Sequence, residues 1–289
     1  MTQTISYSLF SPKTENKHRF WDAHWSNERY FYNIPANILL NSVLFPDFQQ
    51  NYHLSADVAE TKFHSLLIEA SNFYNIKVDI CDLHYQNTEA TLWRFQPLVD
   101  GTCDVLLSRD LDSVFSAPEI IATQFFLKDP KYQTFTIRSH QNHSTQNTIM
   151  LAGLCGFKVS SFSFDQSFAQ FYKTQHGQDW GLDQDFLINL FKDKPNWTKN
   201  HFLDVRIQSS DHHVQKPLIP CIEAEISHDS QVMENKLLKT LNKITRWAGQ
   251  PVDVRGQKLV EIFNIQKTEA YALYKIISDN SYLKSFYRV

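Results

Sequence analysis

Stretches of strand period and helix period alternate from residue 4 to residue 207, and this alternation constrains the fold more than any single motif. Residues 4–10 alternate and stop at Ser11-Pro12, which reads as a strand. Residues 35–44 read as a helix, with Pro35 suited to its first turn. A short strand is expected around Tyr52-His53-Leu54. Residues 61–74 place Phe63, Leu66, Leu67, Ala70 and Phe73 at helical spacing. The rest follows as strand 76–83, helix 89–98, an apolar strand running into a charged turn within 103–113, and helix 116–127. Ser116 and Glu119 form a capping box on that last helix. Then come strand 134–139, a polar loop over 140–147, helix 182–191 and strand 202–207. Strands interleaved with helices predict an α/β layered fold with a mainly parallel central sheet. Beyond about residue 225 two helical stretches, 231–247 and 256–278, are split by Gly249-Gln250-Pro251. The expected division is therefore a domain over 1–225 and a helical C-terminal extension over 226–289.

Composition narrows the function classes. With 42% hydrophobic and 20% charged residues among 289, the chain can bury a core and is not of the disordered class. Its 7 glycines argue against a glycine-rich phosphate loop. Cys81, Cys103, Cys155 and Cys221 are scattered without paired spacing, which favours reduced thiols in a cytoplasmic setting over a disulfide framework or zinc cluster. The opening MTQTISYSLF lacks a basic start and apolar run, so no signal peptide is expected. No stretch reaches the ~18 apolar residues of a transmembrane helix. Net charge is −3, yet residues 230–289 hold ten Lys/Arg against five Asp/Glu. That basic tail reads either as a solvated helical face or as a contact surface for nucleic acid or membrane headgroups.

The chemistry-bearing stretch is Asp104-Val105-Leu106-Leu107-Ser108-Arg109-Asp110-Leu111-Asp112-Ser113. An apolar strand ends in Asp-x-Asp. Two carboxylates leaving a sheet together can converge on one hard cation, and Mg²⁺ typically takes one or two carboxylates plus substrate phosphates. Open α/β sheets bind ligands beyond the carboxyl ends of their strands, where this motif falls. The plainer reading of the same residues is a turn capped by aspartates.

The surrounding motifs resemble a glycosyltransferase family of bacterial and viral genomes. Trp93-Arg94-Phe95, Pro97 and Asp100 precede Arg109-Asp110-Leu111-Asp112-Ser113. Arg138-Ser139-His140-Gln141-Asn142-His143 follows, then Ile149-Met150-Leu151-Ala152-Gly153-Leu154-Cys155-Gly156, then Gly181-Leu182-Asp183-Gln184-Asp185-Phe186-Leu187. The start is similar too, through ISYSLF, Tyr32-Asn33-Ile34, Asn37 and Phe45-Pro46. The resemblance covers about residues 5–190, in order. Ser139 stands where the family usually has Asp, and Ala152 where it often has Gly.

The resemblance implies a GT-A (Rossmann-like) glycosyltransferase fold and transfer from a nucleoside diphosphate sugar, with a UDP-sugar the expected donor. It implies Mn²⁺ or Mg²⁺ held by Asp110 and Asp112. A later histidine often completes such a metal shell; His201, His212 and His213 are eligible, and His212 is carried as the candidate. Arg94 and Arg109 would face the donor diphosphate or ribose, since guanidinium forks suit oxyanions; a structural ion pair is the plainer reading of Arg109. His140 and His143 would bond sugar hydroxyls or phosphate. Gly153 and Gly156 would let backbone approach the sugar, or simply pack tightly. Ser8 and Asn37 are candidates for nucleotide contact by location. Asp183 and Gln184, opening a helix, would orient the acceptor hydroxyl, with Asp183 as base in an inverting reaction or as charge stabiliser in a retaining one. The expected acceptor is a surface glycan, or a hydroxymethylated pyrimidine in phage DNA. The competing readings are a metal-dependent nuclease or phosphohydrolase, suggested by the His/Asn-rich loop, and a non-catalytic sugar- or nucleotide-binding protein.

Overall fold

The computed structural model describes residues 1–10, 28–82, 87–140, 143, 149–162, 171, 181–208, 221–227, 236–245 and 248–288. In chain order the elements are β1 (Gln3–Leu9), α1 (Glu28–Tyr32), α2 (Ile34–Leu44), β2 (Phe48–Ser55), α3 (Ala56–Ala59), α4 (Lys62–Ala70) and β3 (Ile76–Cys81). A 3₁₀ helix (Asn87–Phe95) and α5 (Gln96–Val99) lead to β4 (Val105–Arg109), α6 (Ala117–Lys128), β5 (Thr134–Arg138) and β6 (Leu154–Lys158). Then come α7 (Leu182–Phe191), α8 (Pro195–His201), β7 (Phe202–Gln208) and β8 (Ile222–Ser227). The chain closes with α9 (Lys236–Ile244), α10 (Leu259–Ile262), α11 (Lys267–Asp279) and α12 (Ser281–Lys284).

The strands form one eight-stranded sheet in the order β3-β2-β1-β4-β6-β5-β7-β8. Every pairing is parallel except those of β6, which runs antiparallel to β4 and β5. The class is α/β with a mainly parallel sheet, compatible with a Rossmann-like fold. Alternate residues of each strand feed two apolar cores, one per face. Ile5, Tyr7, Leu9, Val105 and Leu107 face the larger core, shared with α2, α4 and α6. Leu106, Cys155 and Phe157 face the smaller one, shared with Leu92, Phe95, Phe186 and Phe191. Helices thus cover both faces, as a parallel sheet requires.

The C-terminal helices join the larger core. Leu237, Leu241, Val254, Leu259, Phe263, Leu273 and Ile277 are buried in it. The expected helix over 256–278 is broken in two: Asn264 adopts φ 53°, a left-handed value that Asn tolerates better than most residues. A fresh capping box of Gln266 and Glu269 then starts α11. Likewise the expected helix over 89–98 is a 3₁₀ helix that restarts as α5, because Pro97 is accommodated only in a first helical turn. Ser116 and Glu119 do form the expected capping box on α6. Strands β6 and β8 and helix α8 were not expected. Among the described residues no helix is long and apolar enough to cross a membrane.

Candidate functional site

From β1 the chain steps outward to β2 and β3, then returns to lay β4 on the other side of β1. That reversal makes a topological switch point between β1 and β4, where the outgoing loops diverge and leave a crevice at the carboxyl edge. A cavity of about 310 Å³ lies there. It is lined by Ser8, Leu9 and Phe10 at the end of β1, Asp110 and Leu111 at the end of β4, Thr91 and Arg94 from the 3₁₀ helix, Tyr30, and Asp183 and Gln184 at the start of α7.

One guanidinium ties this site together. Arg94 is buried, and its Nη1 pairs with Asp110 Oδ1 while its Nη2 lies 3.3 Å from Asp183 Oδ2. Its own position is set twice. The backbone N–H donates to Ser8 Oγ at 2.9 Å, and Nε donates to the Thr91 carbonyl at 3.1 Å. The two carboxylates differ in setting. The Asp110 side chain is 45% exposed and the Asp183 side chain 10%. Burial pushes the Asp183 carboxyl up to about 6, against the opposing pull of Arg94 and with help from the Asp110 charge. Charged neighbours Asp110 and Asp183 hold Arg94 above the ordinary arginine range despite its burial.

Gly153 sits against this pair. A Cβ added there would fall 2.9 Å from Asp110 Oδ1 and closer still to Oδ2 and Cγ. Its φ is not in the left-handed region, so alanine strains no backbone and acts only by pushing the carboxylate aside. Gly153→Ala is therefore expected to displace the Asp110 carboxylate from Arg94 with the melting temperature nearly unchanged, which melting curves and a crystal structure of the variant check. Gln184 fits between the Met150 carbonyl and the Ala152 N–H, its amide nitrogen toward the former and its oxygen 3.0 Å from the latter. It fastens the start of α7 to the glycine-bearing turn.

The acidic turn is clamped from behind by two asparagines of α2's entry. Asn37 is fully buried, and its Nδ2 donates to the carbonyls of Asn33, Leu111 and Ser113 at 3.1, 3.3 and 3.1 Å. Asn33 Nδ2 donates to the carbonyls of Asp112 and Val252 at 2.8 and 2.7 Å. A C-terminal strap completes the clamp. Ala248 exchanges hydrogen bonds with Ser139 Oγ, Gly249 abuts Leu154, Pro251 bridges Ser113, and Val252 N–H donates to the Asp112 carbonyl at 3.0 Å.

The expected site residues therefore separate. Arg94, Asp110, Asp183, Gln184 and Ser8 meet around one cavity, with Gly153 against Asp110. Asp112 is buried beside it and does not line it. Asn37 holds the turn and has no route to a nucleotide. Arg109 points to the opposite face of the sheet, where it pairs with the fully buried Glu119 and lies 4.2 Å from the Phe115 ring centre. Its place is the ion pair, not the donor. Gly156 lies within β6 and makes room for Phe135 and Leu107, so its close approach is to the core. The rings of His140 and His143 lie 5.7 Å apart and tilted by 58° beyond the end of β5, and neither lines the cavity. His201 precedes β7, at the amino ends of the parallel strands and away from the cavity lining, with its Nδ1 2.9 Å from the Lys131 carbonyl oxygen. His212 and His213, and most of the His/Asn-rich loop, lie outside the described residues. Among the described residues no group of three or more His, Cys, Asp or Glu is placed to hold a metal ion.

Thr91, Tyr30 and Phe10 line the cavity and were not expected. Thr91 carried a signal: it precedes Arg94 by three residues, one turn of a 3₁₀ helix. The sequence matches no protein-family model and no curated protein.

Proposed function

We propose that the chain is a glycosyltransferase of the GT-A type that moves a sugar from a nucleoside diphosphate sugar to an acceptor hydroxyl. The observation that carries this reading is the Arg94-bridged pair Asp110 and Asp183 in a cavity at the β1/β4 switch point. The half-exposed Asp110 suits the donor diphosphate side, and the desolvated Asp183 suits the acceptor side.

A hard cation such as Mn²⁺ or Mg²⁺ can be held with one or two protein carboxylates, the remaining positions left to phosphate and water. Asp110 would hold it, with Asp112 adjoining. When bound, such a cation neutralises the departing diphosphate. Arg94 keeps Asp110 and Asp183 at a fixed separation. Gln184 and Gly153 fix what lies beneath them. Asp183 accepts the proton of the acceptor hydroxyl in an inverting course, or steadies positive charge on the sugar in a retaining one. Either role needs the ionised form.

The pH dependence follows. With its carboxyl near 6, Asp183 is ionised at neutral pH, and transfer is expected to fall about tenfold per unit as pH drops below about 6. Unfolding does not mimic this loss. A carboxyl raised in the folded state favours folding most strongly below its unfolded value of 3.8, and that contribution is lost as pH rises through about 6. A rate profile that stays flat from pH 7 to 5, with the fold intact, would remove Asp183 from the mechanism.

The primary test is thermal stabilisation by a panel of nucleotide sugars, with and without Mn²⁺ or Mg²⁺. A ligand that binds only the folded state raises the melting temperature by mass action. A metal-dependent rise with one nucleotide, UDP-sugars first, supports the reading. No rise with any of them, in folded protein, refutes it.

A further inference from the structure

Among the described residues of the C-terminal region three cations are paired, Lys267, Lys284 and Arg288 make no ion pair, and the densest unpaired run lies on α9. Arg255 pairs with Asp253 at 2.6 Å, Lys258 with Glu261 at 3.0 Å and Lys275 with Asp279 at 3.2 Å. Helix α9, with the sequence KLLKTLNKI, contains no acidic residue. Its Lys236, Lys239 and Lys243 are exposed and make no ion pair among the described residues. Their spacing of three and four residues puts them on one face, in a row about 10 Å long at 1.5 Å per residue.

This row is held rigidly. The opposite face of α9 carries Leu237 and Leu241, both buried in the larger core, with Ile244 packed against it. The helix lies on α6. From its Lys243 end the chain runs directly into the strap, to Ala248 on Ser139 and Val252 on the Asp112 carbonyl.

We infer that Lys236, Lys239 and Lys243 form a docking face for the phosphate backbone of a nucleic acid. Three fixed ammonium groups that make no ion pair among the described residues complement a polymer of repeated anions, and such contacts supply most of non-specific nucleic-acid affinity. A membrane surface fits less well: an amphipathic helix binds lipid by burying its apolar face, and here that face is already in the core. That the docked nucleic acid is also the sugar acceptor rests on the transferase reading; the docking does not.

The test is fluorescence anisotropy with a labelled duplex of about 20 base pairs between about 50 and 200 mM salt, for the full chain and for K236E/K239E/K243E. At about 0.9 per phosphate neutralised, three lysines give a log–log salt slope of roughly 2.7 in the parent. The variant is expected to keep the parent melting temperature, to bind at least about tenfold more weakly at low salt, and to lose most of that slope. No binding by the parent at low salt, equal binding by the variant, or binding to phosphatidylserine vesicles but not to duplex overturns the inference. The nucleotide-sugar thermal shift is run on the same samples. A shift without duplex binding overturns the docking and leaves the transferase standing; duplex binding without a shift does the reverse.

Discussion

Asp110→Asn is expected to lower sugar transfer by at least about a thousandfold, roughly 4 kcal/mol of transition-state stabilisation, while the protein stays folded. The substitution keeps the shape of the side chain and removes its charge. Asp110 is the more exposed of the two carboxylates on Arg94, so its loss leaves little uncompensated burial. The guanidinium retains Asp183 as a buried counter-charge. What disappears is the anionic oxygen that would hold a hard cation against a diphosphate. Initial rates with the donor identified by thermal shift, alongside melting curves, measure both halves of this expectation. Wild-type rates in Asp110→Asn would end the case for the cavity as a transferase site.

Arg109→Met should instead act on stability. Arg109 and Glu119 form a pair in which the side chains are 3% and 0% exposed. Removing the guanidinium strands a carboxylate that water cannot reach, and breaking such a buried pair typically costs about 3–5 kcal/mol. The same carboxylate closes the capping box of α6 by accepting from the Ser116 N–H at 2.8 Å, and Arg109 also covers the Phe115 ring. Against a total stability of about 5–15 kcal/mol, the variant is expected to unfold at much lower denaturant. Adding Glu119→Gln should restore a large part of the loss, because the stranded charge is gone. If Arg109→Met kept its unfolding midpoint and raised only the donor KM, the diphosphate role suggested by its neighbour Asp110 would be the correct one.

The two arginines illustrate what the sequence could convey. Arg94 and Arg109 both precede or flank the acidic turn, and chemistry alone suits both to phosphate. Strand parity separates them: Arg109 follows Val105 and Leu107 on the α6 face, and Arg94 comes from the 3₁₀ helix on the other. Parity was readable, but which face carried the cavity was not, since that depends on where β4 is laid relative to β1. Asn37 was singled out by location for nucleotide contact and instead holds the turn, because a buried amide serving carbonyls 74 and 76 residues away leaves no local trace. The layered α/β class was legible from periodicity, and so were α2, α4, α6, α7 and β1, β3, β5 and β7. Strand β6 was hidden because its short stretch carries Gly156 and reads as a glycine motif. Strand β8 did alternate, as Ile222-Glu223-Ala224-Glu225-Ile226, but its pattern was lost beside the basic helices that follow.

The strap has a consequence for how the molecule is made. The carbonyl of Asp112 and the hydroxyl of Ser139 wait for partners at Val252 and Ala248, which are synthesised well over a hundred residues after Asp112. A nascent chain can lay down β1 to β7 and still hold its acidic turn by the α2 asparagines alone. The clamp is finished only once residues 248–252 emerge and dock. A product of interrupted translation or of proteolysis ahead of the strap would thus carry every cavity-lining side chain without the late brace on the turn, so the state of the acidic turn would report whether the strap had docked.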